Sequence, residues 1–163
     1  METGKFLLPG MVMKVEFLSG FPLPEDLVCN PMMGNVRILI ADDQEAIRRR
    51  VSAIIKARPN LEVCAEATNG SEAVKKAQES NPDLIVLDIT MPEVNGLDVA
   101  RKIKAFAPDT PIVILTVHRS KQLMEEAKII GVRGYVTKAE AGQNLLTAID
   151  AVLQNQTFFP ANI

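Results

Sequence analysis

The chain has 163 residues, 47% apolar and 23% charged, the profile of an ordinary globular protein with length for about one domain and a real core. Its formal charge of −2 offers no general attraction to nucleic acid or an anionic membrane. Cys29 and Cys64 match no metal or redox spacing and read as unpaired thiols in a reducing cytoplasm. Residues 1–34 hold Pro9, Pro22, Pro24, Pro31 and four glycines with no helical or alternating period, so a poorly ordered extension is expected. The patch Phe6-Leu7-Leu8 is too short for a signal h-region or a membrane span. Met32 and Met33 stand just ahead of the first apolar run and offer an alternative translation start.

From Asn35 the chain alternates. Strands are expected near 36–41, 61–67, 83–88, 111–116 and 133–137, and helices near 44–57, 70–79, 96–106, 119–130 and 141–153. In the first helix Ile47, Val51, Ile54 and Ile55 share one face while Arg48, Arg49 and Arg50 fan into solvent. Asn69 is placed to cap the second helix, with Glu72 as its capping-box partner. Gly131 suits a left-handed stop after the fourth helix. Leu84 to Leu87 is apolar throughout, as a parallel strand covered on both faces should be. Alternation of this kind predicts an α/β fold: a five-stranded parallel sheet in the flavodoxin-like order 2-1-3-4-5, helices on both faces, over residues 35–155, with a C-terminal tail at 156–163.

The chemistry lies at the strand ends. Asp42 and Asp43 close the first run, Asp88 the third and Thr116 the fourth, while Lys138 follows Tyr135-Val136-Thr137 of the fifth. Parallel strands bring all five side chains to the carboxyl edge of one sheet, where open α/β folds bind ligands. Carboxylates about 4 Å apart repel by roughly 4 kcal/mol per pair at an effective dielectric near 20, so three stay ionised together only around a cation. Oxygen donors at a wet edge suit Mg²⁺. Lys138 supplies a charge and Thr116 a hydroxyl for phosphoryl oxygens, and Asp88 is the candidate nucleophile. Taken singly, each aspartate reads as a turn or cap residue, Arg48 to Arg50 as a solvated face, and the single histidine, His118, as non-catalytic. The conjunction carries the reading.

Residues 36–153 resemble the receiver domain of bacterial two-component response regulators. The resemblance rests on Ile38-Leu39-Ile40-Ala41-Asp42-Asp43, Leu87-Asp88-Ile89-Thr90-Met91-Pro92-Glu93-Val94-Asn95-Gly96, Ile114-Leu115-Thr116 and Gly134-Tyr135-Val136-Thr137-Lys138. It implies Asp88 as phosphoacceptor, Asp43 as a direct Mg²⁺ ligand, Asp42 as a second acid acting mainly through water, and the Thr90 carbonyl as a backbone ligand. It further implies Thr116 as switch hydroxyl, Tyr135 as the aromatic that changes rotamer, and Lys138 as the phosphoryl-binding lysine. The implied partner is a sensor histidine kinase, with repacking of the surface of the fourth helix, fifth strand and fifth helix toward a downstream protein or a second copy of the chain. Two positions depart from the pattern. Ala139 replaces the proline often found after the lysine, so a trans bond is expected. Val117 stands where a small residue is usual, which narrows access to the site, and His118 is expected to tune the lifetime of the phosphorylated state.

Other classes fit less well. A haloacid-dehalogenase-type phosphatase needs an acid two residues after its nucleophile, where Thr90 and Gln44 stand. A flavodoxin-type carrier needs a phosphate-cradling loop after the first strand, where Asp42 and Asp43 repel phosphate. The expectation is a cytoplasmic phosphoacceptor rather than an enzyme, without membrane or nucleic-acid binding of its own. The end of the chain, Asn155-Gln156-Thr157-Phe158-Phe159-Pro160, also resembles receivers that lead into a helix-turn-helix domain, so a fragment of a DNA-binding transcription regulator is the alternative.

Overall fold

The computed structural model describes residues 34–161, so the expectations for Cys29, Met32, Met33 and the rest of 1–33 lie outside the described residues. Strands β1 (Val36–Ala41), β2 (Leu61–Ala67), β3 (Leu84–Leu87), β4 (Ile112–Thr116) and β5 (Gly134–Thr137) alternate with helices α1 (Glu45–Lys56), α2 (Gly70–Ser80), α3 (Gly96–Phe106), α4 (Lys121–Ile130) and α5 (Ala141–Leu153). All strand pairs are parallel, and the order is β2-β1-β3-β4-β5. This is the order the alternation predicts.

Strand period sorts the core into two layers. Leu84, Val86, Val113 and Leu115 face Val51, Ile55, Leu145 and Ile149 of α1 and α5, while Ile85, Leu87, Ile112 and Ile114 face the α2–α4 side with Val99, Ile103 and Met124. Each buried Leu or Ile contributes roughly 2 kcal/mol by removal from water. A sheet packed on both faces is stiff, and stiffness is what a site at its edge needs. Ile47 and Ile54 pack at the margin of the α1 face, as their spacing predicts.

The helix ends carry three findings. Asn69 Oδ1 accepts from Glu72 N at 2.8 Å, but the Glu72 carboxylate turns to Thr68 N (2.6 Å) and Thr68 Oγ1 (2.8 Å), not to Asn69. The reciprocal partner of the cap thus lies one residue earlier than a capping box places it. Ser120 caps α4, whose helical residues begin at Lys121, and Gly131 ends it in the left-handed region at φ 93°. After α5 the chain returns to the sheet: Phe158 bridges Gly134 in parallel, so the first residues expected as a tail lie against β5.

Candidate functional site

Register explains why distant residues meet. Ala41 pairs with Leu87, so Asp42 and Asp88, one residue further on, emerge side by side from adjacent strands. Backbone bonds fix both: Asp88 N donates to Ala41 O at 2.8 Å, and Asp42 N donates to Ala67 O at 3.1 Å. Thr116 pairs with Thr137, which places Lys138 at the same edge, opening a 3-10 turn over Lys138–Glu140. From there its side chain crosses β4 to reach β3, two strand spacings or about 10 Å away. Lys138 Nζ ends 2.8 Å from Asp88 Oδ2 and 2.7 Å from Asp42 Oδ2.

All three groups are buried. Burial acts to lower the Lys138 pKa, yet hydrogen bonds to Asp42 and Asp88 outweigh it and hold the ammonium above its usual value. For Asp42 the balance runs the other way. Burial pushes its carboxyl up, against the opposing pull of Lys138 and of the Gln44 amide, which donates to Oδ1 at 2.9 Å. Asp88 has one oxygen tied to Lys138, while its other oxygen, Oδ1, is buried with no hydrogen-bond partner among the described residues. Asp43 is exposed beside them, and one oxygen from each of Asp42, Asp43 and Asp88 lies within 4.8 Å of the others. A donor set of carboxylate oxygens, with Asp88 Oδ1 buried and unpartnered among the described residues and Asp42 Oδ2 buried and met only by its ion pair to Lys138, fits a hard divalent cation such as Mg²⁺. The same loop carries Thr90, which is exposed.

Two supports were not read from the sequence. Gly96 N donates to Ile89 O at 2.8 Å, and a Cβ at Gly96 would overlap Asp88 O and stand 2.7 Å from Ile89 Cα. Only glycine lets the β3–α3 loop fold against the backbone of Asp88. Arg48 corrects an expectation: instead of pointing into solvent with Arg49 and Arg50, it turns back and donates to Asp42 O at 2.9 Å while pairing with Glu66 at 3.2 Å. Near the start of α1, a long side chain finds free carbonyls of the preceding loop within reach, and these outcompete water. Alternation of apolar residues carries no signal for this. The Gly96 constraint had one, in the glycine that closes the quoted Asp88 segment.

The remaining residues form the rim. Thr116 is fully buried, and its hydroxyl accepts from His118 N at 3.2 Å. Tyr135 is also fully buried and donates from its hydroxyl to His118 O at 2.9 Å. His118 Nε2 lies 3.2 Å from Thr90 Oγ1, bridging the loops after β3 and β4. Arg119 pairs with Glu140, and Glu140 also accepts from Thr137 Oγ1 at 2.8 Å. Val117 is 60% exposed. The Lys138–Ala139 bond is trans, since no cis peptide occurs among the described residues. Cys64 is a free thiol, and no described helix is long and apolar enough to cross a membrane.

Residues 38–150 match the response regulator receiver domain family. The chain is 34% identical over 127 residues to the transcriptional regulatory protein YdfI of Bacillus subtilis, covering 78% of this chain and 59% of that protein. It is 31% identical over 128 residues to the response regulator UvrY of Escherichia coli, again covering 78% and 59%. Among solved structures, a two-component response regulator of the LuxR family from Aurantimonas superposes with a TM-score of 0.75 at 31% identity, covering 78% of this chain and 91% of that one. The response regulator domain of Thermotoga maritima CheB gives 0.69 at 28% identity, over 74% and 97%.

A parallel five-stranded sheet with an acidic cluster and a buried lysine at its carboxyl edge, together with the family match, marks a signalling domain of the two-component type. The chain belongs to the response regulator receiver domain family. It spans about three fifths of the length of the curated relatives it matches.

Proposed function

We propose that this domain accepts a phosphoryl group from the phosphohistidine of a sensor histidine kinase onto Asp88, in the cytoplasm, and passes the change to a partner. The observation that carries the reading is the split environment of the Asp88 carboxylate. Oδ2 is held by Lys138 at 2.8 Å, while Oδ1 is buried and without a hydrogen-bond partner among the described residues. One oxygen is anchored and the other is free to attack phosphorus. In that step the P–O bond to Asp88 forms as the P–N bond breaks, and the imidazole leaves with the electron pair.

Asp42, Asp43, Asp88 and the Thr90 carbonyl are the residues that would hold Mg²⁺, whose charge offsets the repulsion between carboxylates and phosphoryl oxygens. Lys138 supplies a second positive charge to the phosphoryl group. Thr116 donates its hydroxyl to the same group, giving up the bond from His118 N, and the space it leaves admits Tyr135. The chain turns over no other substrate in this reading: it is a phosphoacceptor that loses its own phosphoryl group to water, a loss that His118, tied to Thr90 at the rim, would slow or hasten. Residues 35–155 carry this unit. The output is a protein contact, including a second copy of the chain.

One observation favours a second reading, the receiver portion of a helix-turn-helix transcription regulator: relatives named as transcriptional regulators are matched over about three fifths of their length. The native reading frame beyond Ile163 decides between the two. The primary test is intact mass after incubation with acetyl phosphate and Mg²⁺. Wild type is expected to gain one phosphoryl group and Asp88→Asn none; uptake by the variant refutes the assignment.

A further inference from the structure

Beyond α5 the chain does something the phosphorylation site does not require. Asn155 takes a left-handed conformation at φ 60° and reverses the chain, with Gln156 N donating back to Ala151 O at 2.9 Å. Its side-chain oxygen accepts from the Arg133 guanidinium at 2.8 Å. Phe158 then pairs with β5: Phe158 N donates to Arg133 O and Tyr135 N donates to Phe158 O, both at 2.8 Å. The two phenylalanines straddle the sheet edge. Phe158 packs on the α1–α5 layer and Phe159 on the α2–α4 layer, where the Lys128 ammonium stands 5.0 Å from its ring centroid.

This segment satisfies backbone groups that an edge strand would leave open, and it does so at one residue of consequence. Tyr135 is held at both ends: its amide by Phe158, and its hydroxyl by His118 O on the loop ahead of α4. Residues 155–159 therefore touch β5 directly, α4 through Lys128, and α5 by covalent continuity.

We propose that residues 155–159 form a clasp that positions Tyr135 in its buried state and is loosened when Tyr135 moves, so that the clasp carries the change at Asp88 to whatever follows Pro160. The second half of this statement rests on the function proposed above; the first does not. Phe158 and Phe159 act through the β5 backbone and are positioning residues.

The chain offers its own probe. Tyr135 is the single tyrosine and tryptophan is absent, so intrinsic tyrosine fluorescence reports on this residue alone. In the unphosphorylated chain, Phe159→Ala is expected to raise acrylamide quenching of Tyr135 and to speed exchange of the Tyr135 amide about tenfold, while amides of β1 keep their protection. Phe159→Leu, which keeps apolar bulk, is expected to restore most of both. Quenching and exchange equal to wild type in Phe159→Ala, or uniform loss of protection across β1 in both variants, overturns the clasp. Wild type loaded by acetyl phosphate and Mg²⁺ is expected to show the same faster exchange at Tyr135. A chain that gains one phosphoryl mass with exchange unchanged refutes the signalling half and leaves the receiver reading intact. A chain that gains no such mass refutes the phosphoacceptor reading, and the signalling half with it, while the unphosphorylated variants still judge the clasp.

Discussion

Lys138 sits between two carboxylates, and the three charges do not balance equally. Asp88 shares a hydrogen bond with the ammonium, whereas Asp42 carries a raised pKa because burial outweighs everything that lowers it, Lys138 included. A carboxyl whose folded pKa exceeds its unfolded one favours the fold below the unfolded value. That advantage is lost as pH rises through the folded value. At neutral pH the ionised Asp42 thus costs stability, even after its attraction to Lys138 is counted. Asp42→Asn is expected to stabilise the metal-free domain near pH 7 by about 1 kcal/mol, raising Tm by roughly 3 °C. The gain should disappear as pH falls below the usual carboxylate range, where wild type is protonated as well. Thermal melts in a chelator across pH check this; a variant less stable than wild type at pH 7 contradicts it. The convergence of Asp42, Asp43, Asp88 and Lys138 was legible from residue types at strand ends, because parallel register converts sequence position into position along one edge, whereas the Gly96 and Arg48 supports were not. Which oxygen of Asp88 is free, and which acid bears the strain, depends on angles that sequence does not carry.

At the scale of elements, α2 shows how local chemistry sets a pH window. The Glu72 carboxyl is held down at about 2 by Lys76 first, then by the Thr68 amide and hydroxyl, and it stands in the first turn where the helix dipole favours an anion. A depressed carboxyl contributes stability above its unfolded pKa, and that contribution is lost as pH falls through the folded one. Glu72 is partly exposed, so screening trims the gain. Glu72→Gln is expected to cost about 1 kcal/mol at pH 7, a loss that closes between pH 4.5 and about 2. Urea melts at several pH values read it; a cost independent of pH means the carboxylate's charge is not what matters. The existence of this cap was legible from Asn69, and its partner was not. The two candidates for the Glu72 side chain, the amides of Asn69 and Thr68, are neighbours in sequence, and the Thr68 hydroxyl adds a second donor that decides between them. Arg48 failed for a related reason: helical period says which face points outward, not whether a long side chain near the first turn curls back over the preceding loop.

For the whole molecule, strand order and helix placement followed from alternation alone, whereas the return of residues 155–159 to β5 did not. A single bridging residue, Phe158, lacks the alternating run that marks a strand, and its pairing is fixed by the Asn155 turn and by apolar space at the sheet edge. The same global view frames the metal. An ion that binds the folded edge and not the unfolded chain stabilises by RT ln(1 + [L]/Kd), about 1.4 kcal/mol at ten times Kd, or roughly 3–4 °C in Tm. Mg²⁺ in the millimolar range is therefore expected to raise the Tm of wild type by several degrees. Asp43→Asn and Asp88→Asn, which each remove a carboxylate from the cluster, should lose most of that rise. Monovalent salt at equal ionic strength separates site binding from screening, because screening acts on all variants alike. If melts of wild type with and without Mg²⁺ coincide, the cluster does not hold the ion and the split of the Asp88 oxygens needs another explanation. If the variants respond as wild type does, the ion binds elsewhere, and Asp42 and Asp88 are held together by Lys138 alone.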